Sequence, residues 1–293
     1  MVKNGHKRGK QLYKCKDCDR QFVGGKRLDV ASIEHDYIDG KQTLQQLSEH
    51  YGVCVKTVWN ALGNMRHKRN VSRHKDVVIL MDTTYWGRKF GLVIMKDALR
   101  NKVLWYKFIN RHERIADYLE GIDRLESHGF KIWGIVCDGM RGLFEALRRY
   151  PVQMCQFHMV AIVRKYLTNN PDMVAARELL GLAKTLADKD KATFTAELDL
   201  WHTKWGDFLK ERSIDRYGKS HYTRPRLRSA YFSLKRHLYW LWTYEHYPDR
   251  VIPNTNAGIE SLNSRLKTLL RVHSGITSER RKKLIENYIA SHY

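Results

Sequence analysis

Val77-Val78-Ile79-Leu80-Met81-Asp82-Thr83-Thr84-Tyr85-Trp86-Gly87 carries five apolar residues, three of them β-branched, into a lone carboxylate and then into hydroxyl and aromatic side chains. A continuous apolar run this short reads as a strand buried on both faces. Its closing aspartate marks the place where a central strand emerges into a crevice. A charge there is costly unless it is paired, hydrated or metal-bound. Taken alone, Asp82 is equally at home capping a turn or meeting an arginine.

Downstream, the pattern predicts strands over Phe90–Lys96 and Lys102–Ile109, forming an antiparallel pair next to the opening strand. A helix follows from Arg114 to His128, with Ile115, Tyr118, Leu119, Ile122 and Leu125 at helical spacing and Gly129 ending it. A second buried strand, Lys131–Cys137, again runs into a carboxylate, Asp138. A short helix over Leu143–Arg149 and a strand over Val152–Met154 then lead to Cys155-Gln156-Phe157-His158. Three antiparallel strands followed by βα units predict an α/β mixed sheet with helices on its faces. In such topologies the first and fourth strands can lie side by side, bringing Asp82 and Asp138 together. Two carboxylates so placed repel at pH 7, which makes a divalent cation their natural partner.

From residue 159 to 250 strand patterning disappears, and an all-helical insertion is expected, with Trp201, Trp205, Tyr231, Trp240, Trp242 and Tyr244 as its large aromatics. Core packing is the plain reading of these side chains; stacking of an unpaired base on a tryptophan is the alternative. His202, His221, His237 and His246 lack ligand spacing and read as structural or surface residues. Beyond the insertion, Asn254-Thr255-Asn256-Ala257-Gly258-Ile259-Glu260-Ser261-Leu262-Asn263 enters a helix with Ile259, Leu262 and Leu266 inward. Asn256, Glu260, Ser264 and Lys267 recur on one face of it. That set suits a metal and a phosphate, or is a solvated Glu–Lys face.

Toward the N-terminus, residues 28–66 read as a helix-turn-helix. Thr43 and Gln46 make a capping box, Gly52-Val53 a tight turn, and Val58, Leu62 and Met65 the inward side of the second helix. Lys56, Thr57, Asn60 and Asn64 face outward as candidate DNA contacts, unless the pair is an ordinary helical hairpin. A basic linker, residues 66–75, follows as an arm for a phosphate backbone. Residues 1–27 form a basic segment in which Cys15 and Cys18 resemble one knuckle of a zinc ribbon; the first Cys pair is missing, so structural Zn²⁺ has two of the four ligands it needs. Core residues are therefore expected at 76–158 and 251–293.

The 293 residues carry 53 Lys and Arg against 31 Asp and Glu, a formal charge of +22. This surplus favours a polyanionic partner, nucleic acid before membrane. The five cysteines form no secretory framework, and the chain has neither a signal-peptide pattern nor an apolar run of membrane-span length. The expected location is cytoplasmic and nucleoid-associated, with free or metal-bound thiols.

Asp82-Thr83-Thr84-Tyr85, Cys137-Asp138-Gly139, Cys155-Gln156-Phe157-His158 and the stretch Asn254–Asn263 together resemble the Mutator-like superfamily of DDE transposases, which includes many bacterial insertion-sequence enzymes. The resemblance implies an RNase H-like fold with Asp82, Asp138 and Glu260 as catalytic residues holding two Mg²⁺ or Mn²⁺ ions. Cys155, His158, Asn256 and Lys267 are accessory candidates. The implied activity is metal-dependent cleavage and transfer of DNA strands. The implied partners are double-stranded DNA, both terminal inverted repeats and target, and further copies of the chain in a dimer or larger assembly. No activated Ser or Tyr nucleophile is evident, in keeping with direct phosphodiester transfer. The alternatives are a catalytically decayed or regulatory DNA-binding protein derived from such an enzyme, and a general RNase H-like nuclease.

Overall fold

The computed structural model describes residues 1–23, 28–64 and 74–293, the side chain of Asn64 excepted. The chain divides into two compact units: Met1–His67 with Leu269–Ile276, and Lys68–Thr268 with Thr277–Tyr293. Met65 and most of the predicted basic linker, residues 66–73, lie outside the described residues.

In the first unit, β1 (Val2–Lys7), β2 (Lys10–Lys14) and β3 (Gln21–Val23) form an antiparallel sheet in that order. Cys15 and Cys18 lie in the turn between β2 and β3, and among the described residues no third ligand atom completes a metal cluster with them. Three helices follow: α1 (Val30–Ile38), α2 (Leu44–Tyr51) and α3 (Val55–Asn64). The predicted capping box is present, with Thr43 N–H donating to Gln46 Oε1 at 2.8 Å. Gly52 adopts a left-handed φ of 63° at the α2–α3 turn, a conformation glycine takes without a Cβ penalty. Ile33, Tyr37, Leu47 and Val58 form the buried side of these helices, where His273 stacks on Tyr37 at 3.9 Å.

The second unit is built on a five-stranded mixed sheet. Its strands are β4 (Asp76–Tyr85), β5 (Gly91–Asp97), β6 (Val103–Ile109), β7 (Lys131–Cys137) and β8 (Val152–Met154), in the spatial order β6-β5-β4-β7-β8. β5 runs antiparallel to its neighbours, whereas β4, β7 and β8 are parallel. This is the predicted RNase H-like arrangement, with the first and fourth strands of the sheet adjacent. The helices α4 (Ile115–Ser127) and α5 (Leu143–Ala146) connect strands, and α6 (Gln156–Leu167) begins directly after β8. Val77, Ile79 and Met81 pack into one core with Tyr118, Ile122 and Leu125 of α4. At Gly121 the helix comes so close to the sheet that an added Cβ would lie 2.5 Å from the Met95 side chain. All five residues Val77–Met81 are buried, which is worth on the order of 10 kcal/mol at ~2 kcal/mol per large apolar side chain.

The insertion contains α7 (Val174–Lys184), α8 (Lys191–Lys210) and α9 (Pro225–His237), but it is not entirely helical. A hairpin of β9 (Arg212–Ile214) and β10 (Ser220–Tyr222) joins α8 to α9. Its strands have three residues each and are mostly polar and solvent-facing, so no apolar alternation announces them. Trp201 and Trp242 are buried and donate their indole N–H groups to the carbonyls of Ala175 and Lys189, as core residues do. The chain then enters α10 (Ala257–Val272) and ends in α11 (Ser278–His292), within the stretch 251–293.

Candidate active site

β4 does not stop at Asp82. It continues to Tyr85, and Asp82 pairs in register with Ile94 of β5. On its other edge, pairing with β7 ends at Leu80 opposite Val136. Asp82 therefore lies just past the point where the two parallel strands part. Asp138 follows the last residue of β7, and Cys155 follows the last residue of β8. Asp82, just past the parting of β4 from β7, and the residues that follow β7 and β8 thus come to one end of the sheet, where open α/β sheets bind ligands.

Two helices supply the remaining groups. His158 sits in the first turn of α6, and Glu260 in the first turn of α10, where the helix dipole favours a carboxylate. His158 Nε2 lies 3.1 Å from Glu260 Oε1, with the two side chains 23% and 38% exposed. One ligand atom each from Asp82, His158 and Glu260 falls within 4.8 Å of the other two. Asp138 is outside this trio; its Oδ1 accepts the Met140 N–H at 3.3 Å. It is nevertheless near enough for its charge to act on Asp82.

α10 is held in place by its first residues. Asn256, fully buried, donates its side-chain amide to the carbonyl of Met81 at 3.2 Å and its backbone N–H to Cys155 Sγ at 3.2 Å. Asn254 and Gln156 exchange two hydrogen bonds of 3.0 Å each. Lys96, a buried lysine on β5, donates to the carbonyl of Gly258 at 2.7 Å. Further along the helix, Asn263 donates to Asp82 Oδ2 at 2.6 Å. The inward polar face is therefore Asn256, Glu260 and Asn263. Ser264, expected on that face, is exposed, because a four-then-three step fits the 3.6-residue turn better on this side. Lys267 is exposed and reaches Glu260 only through its field.

The electrostatics fit a cation. Burial, Glu260 and Asp138 push the Asp82 carboxyl up to about 7, against the pull of His158. The Cys155 sulfur and the Glu260 carboxylate raise His158 to about 10. In return, the hydrogen bond from His158 keeps Glu260 below its ordinary value in spite of burial. A partly buried carboxyl that neighbouring carboxylates drive toward protonation gains from a divalent ion, and the donors on hand are oxygens and an imidazole nitrogen. Asp82, His158 and Glu260 are the residues whose ligand atoms come together for one, and Asp138 reaches the group through its charge.

The sequence reading did not single out Asn263, Lys96 or Glu113. Glu113 N–H donates to the Tyr85 hydroxyl at 2.7 Å, and that hydroxyl donates to the Glu113 carboxylate. Burial and Asp138 raise the Glu113 carboxyl. Asn263 could have been found from its seven-residue step from Asn256; Lys96 and Glu113 had no local signal. In the first unit, Lys56, Thr57 and Asn60 are exposed on α3, with the Thr57 hydroxyl 3.1 Å from Cys54 Sγ. The side chain of Asn64 is outside the described residues.

The fold and site define an α/β protein whose mixed sheet gathers carboxylates and a histidine at the ends of its parallel strands. No family model and no curated protein sequence matches the chain. Among solved structures it is similar to the Drosophila P element transposase strand transfer complex, with 12% identity, a TM-score of 0.47 and coverage of 92% of this chain and 93% of that chain. It is also similar to the Mos1 mariner paired end complex with Mn, with 14% identity, a TM-score of 0.22 and coverage of 65% and 80%. Likenesses this distant assign neither a family nor an activity.

Proposed function

We propose that the chain is a DDE-type transposase that binds the ends of a DNA element and cuts and joins strands there with divalent metal. The observation that carries this reading is the meeting of Asp82 and Glu260 beside Asp138, across 178 residues of chain, at the carboxyl ends of parallel strands. The charge of +22 and the exposed polar residues of α3 support DNA as the substrate. The sequence resemblance to Mutator-like insertion-sequence enzymes supports the element-end specificity.

Divalent ions, when bound by Asp82, Asp138 and Glu260, would supply activation of a water or 3′-hydroxyl and stabilisation of the leaving oxygen. The chain's own side chains prepare that site. Asn263 fixes the orientation of the Asp82 carboxylate, while His158 holds Glu260 ionised and turned toward the strand ends. Asn256 locks the start of α10 to β4, so Glu260 and Asp82 keep a common frame. Lys267 adds positive potential for a phosphate on the same helix.

The test uses linear duplex DNA carrying the sequences that flank the coding region, incubated with Mg²⁺ or Mn²⁺. Wild-type protein is expected to cut at the element boundary and join the ends to a second DNA, and Asp82→Asn to bind without cutting. Binding without cleavage by the wild type would replace the enzyme with a regulator. Cleavage of RNA–DNA hybrids irrespective of end sequence would replace it with a general nuclease.

A further inference from the structure

The β9–β10 hairpin stands apart from the helical insertion in its chemistry. Residues 212–228 contain six Lys or Arg and a single acidic residue, Asp215. That aspartate is spent inside the loop, its Oδ1 accepting the N–H groups of Tyr217 and Lys219 at 2.9 Å each. Gly218, at a φ of 77°, completes a tight five-residue turn. The loop shape is thus set by the chain itself before anything binds, which reduces the entropy lost on docking.

What the loop presents is unusual. Tyr217 is 77% exposed and Ile214 74%, the largest exposures among the described large hydrophobic residues beyond residue 1. Arg216 lies over the Tyr217 ring at 4.7 Å, and Lys219 is exposed beside it. At the base, Arg212 bonds across the strands to Ser220, with Nε 2.7 Å from Oγ, and stiffens the ribbon. Exposed apolar side chains flanked by cations, on a narrow two-stranded ribbon, match a polyanion with a groove. The major groove of DNA is wide enough for such a ribbon, and aromatic or branched side chains can contact base edges or methyl groups there. An acidic protein surface would use the cations but has no groove for the ribbon.

We propose that the β9–β10 hairpin is a DNA-contacting wing. It enters a groove of duplex DNA with Tyr217 and Ile214 at its tip, while Arg216 and Lys219 meet the flanking phosphates. The proposal rests on the reading of the protein as a DNA transposase and adds to it contact residues other than those of the carboxylate cluster and of α3.

The experiment measures binding of the full chain to a fluorescent duplex by anisotropy at several salt concentrations. Each phosphate contact contributes about 0.9 to the slope of log affinity against log salt. Arg216→Ala with Lys219→Ala should therefore lower the slope by about 1.8, equivalent to a roughly sixty-fold loss at 0.1 M salt if binding at 1 M is unchanged. Tyr217→Ala should weaken binding while leaving the slope intact. Ultraviolet crosslinking of the wild-type chain to iododeoxyuridine-substituted duplex, followed by peptide mapping, should place adducts in residues 212–222, and this readout needs no variant to fold. Unaltered affinity and slope in the double variant, with adducts only elsewhere, would overturn the wing and leave the transposase reading standing. A wild-type chain that binds no duplex at all would overturn both. A change confined to self-association would replace DNA with a second copy of the chain.

Discussion

Replacing Asp82 by asparagine in metal-free protein isolates the charge conflict at the heart of the site. The folded carboxyl titrates near 7, against an ordinary value of 3.8. A carboxyl raised in this way gives stability that is complete below about pH 4 and is lost as the pH climbs through 7. At ~1.4 kcal/mol per pH unit, the loss between pH 4.5 and 6.5 is roughly 2–3 kcal/mol. This window avoids the neighbours. Glu260, held below its ordinary 4.5, already gives its full stability above that pH; His158, raised to about 10, loses its own only above its ordinary 6.5. Urea unfolding in EDTA should show wild-type stability falling by that amount relative to Asp82→Asn, which keeps the shape and can still accept from Asn263. A loss of this size is a fraction of the roughly 5–15 kcal/mol net stability typical of folded domains, so it is read as a shift of the urea midpoint. Millimolar Mn²⁺ should then stabilise the wild type at pH 6.5 and leave Asp82→Asn unmoved. Parallel stability curves for the two proteins across the window would refute the reasoning.

Asn256→Ala removes the bond to the Met81 carbonyl inside the core and should cost about 1–3 kcal/mol in urea unfolding while weakening Mn²⁺ binding measured by calorimetry. His158→Ala should cost only ~1–2 kcal/mol at pH 6, because the Glu260 side chain is over a third exposed and water screens the pair. Its more specific signature is a rise in the Glu260 carboxyl pKa, read by NMR. Lys56→Ala combined with Asn60→Ala, both on the exposed face of α3, should leave stability within ~0.5 kcal/mol and lower affinity for element-end DNA in anisotropy titrations.

What was legible in the sequence follows the range of each interaction. β7 and β8 have the predicted limits because their apolar runs are bounded by charge, proline or cysteine. The adjacency of Asp82 and Asp138 followed from strand order, which local patterning fixes. The end of β4 was misplaced since Asp82, Thr83 and Thr84 are polar, yet β5 keeps pairing with them. The β9–β10 hairpin escaped notice because its strands are exposed and short. Lys96 was hidden for another reason. It reads as the polar end of a strand, and only the fold reveals that it is buried, with its amine brought down to about 8 by burial and by Arg265.

That buried lysine bears on how Glu260 is delivered. Roughly a hundred residues separate Gln156 from Asn254, and closing a loop of that length costs about 4 kcal/mol in chain entropy if the insertion were flexible. Five hydrogen bonds tie the start of α10 back to the sheet end: two between Asn254 and Gln156, one from Asn256 to Cys155, one from Asn256 to Met81, and one from Lys96 to Gly258. At about 1 kcal/mol each they offset the closure cost. Every one of their partners belongs to β4, β5 or the β8–α6 junction, and none to residues 168–250. Glu260 is thus registered against Asp82 chiefly by the sheet itself; the insertion joins this frame through residues 240–244, where the Leu241 carbonyl accepts from Gln156, and its basic hairpin takes no part in these bonds. Lys96 is the tether from β5: its amine donates to the Gly258 carbonyl, and an apolar side chain of that length would leave the first turn on which Glu260 stands without this bond.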